Sequence, residues 1–313
     1  MPDSGDQNPY APVSAGAIKQ GDVLITNFND HNNLQGLGST IMRYTPATKA
    51  LTTFASIPRH LPQCPGGIGL TTAMAMLKSG WVIVGSLPSQ DGTTATKGPG
   101  CLVVLDSKGN VTSTITGPNI NGPWGSMALI DNDTTATLFV SNTGFGVSAP
   151  GQDVVNKANV VRLSLSIPPG KPLTVIDQTV IGDGFGQQAD KDVFIIGPTG
   201  LALGANGTLY VSDAIHNRIA AIPDAATRKD SAGTGQTVTT DGMMRRPLAM
   251  TIAPNGNLLV TNGLNGQVVE IDPVNGKQLH ALWVDANRAQ SPPGSGDLFG
   301  IAMTPTGDGF YYT

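Results

Sequence analysis

A sixteen-residue frame returns along this chain, and a unit of that kind restricts the fold more than any other feature. It reads PTGLALGANGTLYVSD at 198–213 and PLAMTIAPNGNLLVTN at 247–262, the leading prolines 49 residues apart. A third copy, LFGIAMTPTGDGFYYT, covers 298–313. Each copy holds an apolar run, a tight turn with glycine, and a second apolar run ending in Ser/Thr, followed by Asn/Asp where the chain continues. Looser copies occupy 9–27, 67–86 and 123–142. Six starts spaced by roughly 50 residues match the period of a propeller blade.

Third and fourth strands are expected after each pair. IMRY (41–44) precedes LTTF (51–54), CLVVL (101–105) precedes VTSTI (111–115), VVRL (160–163) precedes LTVI (173–176), and VVEI (268–271) precedes LHAL (279–282). Gly (40) and Pro (23) are abundant, and Asn-Gly turns recur at 206–207, 255–256 and 275–276. No helix of ten or more residues is evident. The expectation is an all-β, six-bladed β-propeller of four-stranded antiparallel blades in one domain, 1–313. Its blades span about 8–56, 66–117, 123–181, 197–240, 246–285 and 297–313. The last is incomplete, since only two strands fit into 297–313, and its unpaired edge predicts self-association.

Charge separates partners. Eighteen basic and 22 acidic residues show no basic stripe, which argues against nucleic acid. No apolar run approaches the roughly 20 residues of a membrane span. The start, MPDSGD, lacks a signal peptide. Sparse charge with abundant Thr, Ser, Gly and Asn predicts a secreted or periplasmic protein, its signal peptide missing from this sequence. The two cysteines, Cys64 before the inner strand of blade two and Cys101 opening its third strand, fall on one rim and are expected to form a disulfide.

The segment YVSDAIHNRI (210–219) resembles the NHL repeat, in which a strand ends in Asp and Asn-x-Arg-Ile begins the next. Together with the Pro-x-Gly-Leu-Ala start, the pattern is similar to NHL and SMP-30-like (gluconolactonase-like) propellers, which include lactonases, lyases and interaction modules. The SMP-30-like resemblance implies a divalent metal held by an early glutamate with Asn and Asp of other blades. This chain departs from that, because Glu270 is its only glutamate. The related peptidyl-amidating lyases take one zinc ligand from a place like His216. Their other histidines stand where this chain has Thr199, Leu248 and Phe299.

Long loops, 27–39, 86–100 and 142–159 with the connection 182–197, gather on one rim and mark it as the binding face. The Ser/Thr-Asn/Asp frame places Asn27, Asn142, Asp213 and Asn262 there, with Ser86 in register. They either ring the channel mouth for Ca2+, another divalent metal or a polar ligand, Asn142 and Asp213 being the metal candidates, or cap their own turns. His31, His60 and His216 lie in loops of that rim and form a second set of metal candidates. Trp124 and Phe299, with Tyr10 nearby, start inner strands and either wall a small-molecule or saccharide-like site or pack between blades. Two functions stay open: ligand binding at the loop-rich rim without chemistry, and a divalent-metal-dependent hydrolase or lyase of the lactonase type.

Overall fold

The computed structural model describes residues 4–313; residues 1–3, part of the polar start noted above, lie outside them. Blade one is formed by β1 (Gln7–Ser14), β2 (Val23–Asn29), β3 (Thr40–Thr45) and β4 (Ala50–Ser56). Blade two follows with β5 (Leu70–Met76), β6 (Val82–Ser86), β7 (Cys101–Leu105) and β8 (Val111–Ile115). Blade three is larger, with β9 (Pro123–Asp131), β10 (Thr135–Asn142), β11 (Val155–Ser166), β12 (Thr174–Asp190) and β13 (Phe194–Ile196). Blade four holds β14 (Pro198–Leu203), β15 (Leu209–Asp213), β16 (Arg218–Ile222) and β17 (Gln236–Thr240). Blade five holds β18 (Pro247–Ile252), β19 (Leu258–Asn262), β20 (Gln267–Ile271) and β21 (Gln278–Trp283). The sixth position has only β22 (Ile301–Met303) and β23 (Phe310–Tyr312).

The fold is therefore an all-β propeller with antiparallel strands in sequential order. It has five full blades rather than six, and a two-stranded sheet fills the remaining place. The first strand of each blade is innermost, and these strands touch in the ring β1–β5–β9–β14–β18–β22–β1. One expectation fails in blade three. The stretch 182–197, read as an inter-blade loop, is mostly strand, because β12 runs on to Asp190 and pairs with both β11 and β13.

Apolar layers between successive blades make up the core. Leu24 and Ile41 pack on Val84 and Val103, and Ile83 and Leu102 on Leu138 and Val161. Phe139 meets Val211, Tyr210 meets Val260, and Val268 meets Leu298. Each such side chain contributes on the order of 1.5–3 kcal/mol by leaving water.

The Ser or Thr of the repeated frame explains how blades join at the axis. Thr26 Oγ1 donates to the Thr71 carbonyl at 2.7 Å, and Thr261 Oγ1 to that of Phe299 at 3.0 Å. Ser212 Oγ accepts from Gly200 N at 2.6 Å and donates to the Leu248 carbonyl at 2.5 Å, so one hydroxyl holds its own inner strand and the next. Thr313 repeats that pair of bonds at the closure. It accepts from Gly300 N at 3.1 Å and donates to the Tyr10 carbonyl at 2.6 Å. The glycines are required by the close approach: a Cβ at Gly200 would lie 2.3 Å from the Leu248 carbonyl oxygen, and one at Gly300 1.9 Å from that of Tyr10. In blade three the hydroxyl instead stays within its blade, Ser141 Oγ donating to the Trp124 carbonyl.

Cys64 and Cys101 form the expected disulfide, their Cα atoms 5.3 Å apart and 37 residues separating them. Both are buried in the layer between blades one and two. Closing a loop of this length stabilises by roughly 3–4 kcal/mol in the chain-entropy model, so reduction should lower the denaturant midpoint accordingly. Thr313→Val removes the closing hydroxyl and leaves two buried backbone groups without their partner. We expect a loss of about 1–2 kcal/mol in chemical unfolding, with Thr313→Ser close to the parent.

Candidate functional site

At the loop-rich rim, the channel is filled by the protein itself. β12 and β13 lay a hairpin over the axis and drive Phe194 and Ile195 down onto Tyr10, Phe28 and Trp124. Phe28 sits edge-on to Trp124 at 5.1 Å and to Phe194 at 5.5 Å, and Tyr10 stacks tilted on Phe299 at 4.2 Å. Such pairs add about 0.5–1.5 kcal/mol each to their burial. Trp124 is buried and Phe299 half-buried in this plug, so neither walls an open mouth. Burial, with the charge of Asp190 added to it, pushes the Tyr10 hydroxyl far above the ordinary tyrosine range.

The hairpin is tied on both sides. Gln35 Nε2 of blade one donates to the Asp192 carbonyl at 2.8 Å, and Arg246 of blade five pairs with Asp190 at 3.4 Å. Gln187 donates to the Phe145 carbonyl and Gln188 to that of Gln152 at 2.8 Å, which anchors the hairpin to the long loop of blade three.

The polar frame residues are engaged where they stand. Asn27 Nδ2 donates to Thr40 Oγ1 at 3.0 Å, and that hydroxyl donates to the buried Asp6 carboxylate at 2.8 Å. Asn142 Oδ1 accepts from Asn121 N at 3.2 Å, while its Nδ2 donates to Asn159 Oδ1 at 3.0 Å. Asn262 Oδ1 accepts from Arg245 N at 2.9 Å, and its Nδ2 donates to the Met243 carbonyl at 3.0 Å and to Asn265. Ser86 Oγ accepts from Gly69 N at 3.1 Å. Asn142, Asn262 and Ser86 thus serve backbone groups in the segment that leads into the inner strand of their own blade, and Asn27 serves a side chain of the next strand.

Among the described residues no three of His, Cys, Asp and Glu stand together as ligands. His31 and His60 are exposed, and His216 is committed through Nδ1 to Asp213. Asn142 and Asp213 spend their oxygens on Asn121, His216 and Arg218.

Two open features remain on this rim. The first is a groove of about 410 Å3 in blade three, lined by Asn119, Asn156, Lys157, Asn159 and Asp183, with Phe145 half-exposed beside them. Asn159 is fixed at its floor by Asn142 and by donating to the Asn119 carbonyl at 3.4 Å. Asn156, Lys157 and Asp183 are exposed; the polar groups of Asn156 and Lys157 can turn to a ligand, while Asp183 Oδ1 accepts from Ser231 Oγ. Sequence reasoning marked this loop by its length but named none of these residues, because a polar run such as VNKAN (155–159) carries no motif.

The second is the Asp213–His216 pair. Asp213, fully buried, takes His216 Nδ1 at 3.0 Å and Arg218 Nε at 2.9 Å. The His216 side chain is 51% exposed, with Cε1 facing Gly186. A buried carboxylate that holds Nδ1 leaves Nε2 as the solvent-facing nitrogen, an arrangement able to move a proton.

Neither a protein-family model nor a curated protein matches the chain in sequence. Solved structures do match in shape. A gluconolactonase of Xanthomonas campestris superposes with a TM-score of 0.58 at 14% identity, covering 98% of this chain and 84% of that one. The calcium-binding protein regucalcin of Agrobacterium tumefaciens gives 0.56 at 13% identity, with 96% and 79% covered. A streptogramin B lyase gives 0.52 at 14% identity, with 100% and 91% covered. At these identities the likeness establishes the fold alone, a β-propeller. Asn142→Ala should cost about 1–3 kcal/mol in thermal or chemical unfolding, because Asn121 N and Asn159 Oδ1 both lose a buried partner.

Proposed function

We propose that this protein works outside the cytoplasm and binds a small, neutral, saccharide-like molecule or polymer fragment on its loop-rich rim, in the blade-three groove. The groove itself is the carrying observation: several Asn, one Lys and one Asp converge with the ring of Phe145 in a concavity of about 410 Å3. Amides, ammonium and carboxylate suit ligand hydroxyls, and an aromatic face suits the apolar side of a sugar ring. Asn142 serves as a positioning residue that holds Asn159. Asp213 and Asn262 shape the neighbouring turns, and Trp124 and Phe299 support the rim from beneath. The disulfide is consistent with an extracytoplasmic place. Among the described residues no helix is long and apolar enough to cross a membrane.

One observation favours a second function, a hydrolase or lyase: the Asp213-held His216 would act as general base on a lactone-like or cyclic ester substrate. The matched structures that share this fold include a gluconolactonase and a streptogramin B lyase.

Saturation-transfer NMR with glucose, maltose and cellobiose separates the two. Binding should show contacts to Phe145, and Asn156→Ala with Lys157→Ala should weaken it about tenfold at an unchanged melting temperature. Absence of saccharide binding together with glucono-lactone hydrolysis that falls about 100-fold or more in His216→Gln would assign the enzyme instead.

A further inference from the structure

The channel is sealed at the loop-rich rim but open at the opposite one. There, the inner strands of all six positions enclose a cavity of about 480 Å3 that ends blindly beneath the aromatic plug. Its lining carries no ionisable side chain among the described residues. The half-buried Met76, Met127 and Met303 supply part of the wall, and Met74 and Met250 border it from the inter-blade layers, five of the chain's nine methionines. Thioether chains are unbranched and polarizable, so they fit apolar ligands of varied shape.

Two hydroxyls face this space without a protein partner. Thr72 Oγ1 is buried and unpaired, its residue 5% exposed, and it also borders the small enclosed void under Tyr10 and Trp124. That places Thr72 at the blind end. Ser126 Oγ, on the adjoining inner strand β9, is likewise buried and unpaired. Buried hydroxyls without partners are costly and uncommon. A charge-free blind pocket whose lining includes two unpaired hydroxyls, that of Thr72 at its closed end, matches one ligand chemistry. A charged group would lose its hydration there with nothing to compensate it.

We propose that this cavity is a second binding site, separate from the blade-three groove, for a neutral aliphatic molecule that ends in a hydroxyl or carbonyl group. Its chain lies among the methionines, and its oxygen meets Thr72 and Ser126.

The test uses the whole protein with N-phenyl-1-naphthylamine as a neutral fluorescent probe. Saturable one-to-one binding is expected, with displacement by 1-octanol at least tenfold more effective than by octanoate, which shares its length but carries a charge. Thr72→Val with Ser126→Ala should weaken 1-octanol about fivefold or more while the probe still binds. Ala302→Phe, on half-buried Ala302 of the lining, should abolish probe binding. The groove variant Asn156→Ala should leave it unchanged, which keeps the two sites distinguishable. Circular dichroism melts establish that each variant is folded. Absence of saturable binding by the folded parent overturns the proposal. So does equal competition by octanol and octanoate, or octanol affinity unaltered by loss of both hydroxyls, which would assign them to water alone.

Discussion

Around a propeller axis the inner strands must come close together, yet their backbone groups still need partners. A single hydroxyl at the end of the second strand answers both demands. Ser212 and Thr313 each accept from a glycine N–H of their own inner strand and donate to a carbonyl of the next. Thr26 and Thr261 make the same forward bond. Where the approach is closest the inner strand carries glycine opposite the carbonyl, as at Gly200 and Gly300. The closure between the two-stranded sheet and blade one depends on it most, since the apolar layers run from blade one forward to the sixth position. Across the closure, the Tyr10–Phe299 ring contact adds to the hydroxyl bond.

Closing the ring decides where ligands can go. Inner strands start at the loop-rich rim, where bulky side chains and the β12–β13 hairpin fill the axis. They end at the opposite rim, where small residues and methionines leave the channel open. The long loops therefore offer binding surface away from the axis, in the blade-three groove, rather than over a channel mouth. The polar frame belongs to that division of labour, because Asn142 and Asp213 hold Asn159 and His216, the groups that face outward.

The repeat was legible because its residues answer constraints that return in most blades: a Ser or Thr at the end of the second strand, followed by an Asn or Asp. The pairing of Cys64 with Cys101 was legible too, since placing the strands put both on one rim. The hairpin over the channel was not. IGDGFGQQAD (181–190) has the glycines of a loop, and its pairing with β13 is set by the tertiary surface beneath it rather than by alternation. The plug escaped notice for a related reason: Phe28 and Phe194 are single aromatics at strand ends, and only the fold brings them onto Trp124. The groove is assembled from three separate segments of blade three and its approach, which no local motif can signal.

Native-state amide hydrogen exchange along 298–313, read against the inner strands of the other blades, bears most directly on the hydroxyl-closed ring. If Thr313 closes it, the amides of Phe299, Gly300 and Thr313, bonded to Thr313 O, Thr313 Oγ1 and Gly300 O, exchange slowly and in step with Gly200, which bonds to Ser212. Exchange of 298–313 at unprotected rates, while the five full blades stay protected, would contradict the account and leave the ring open at the sixth position.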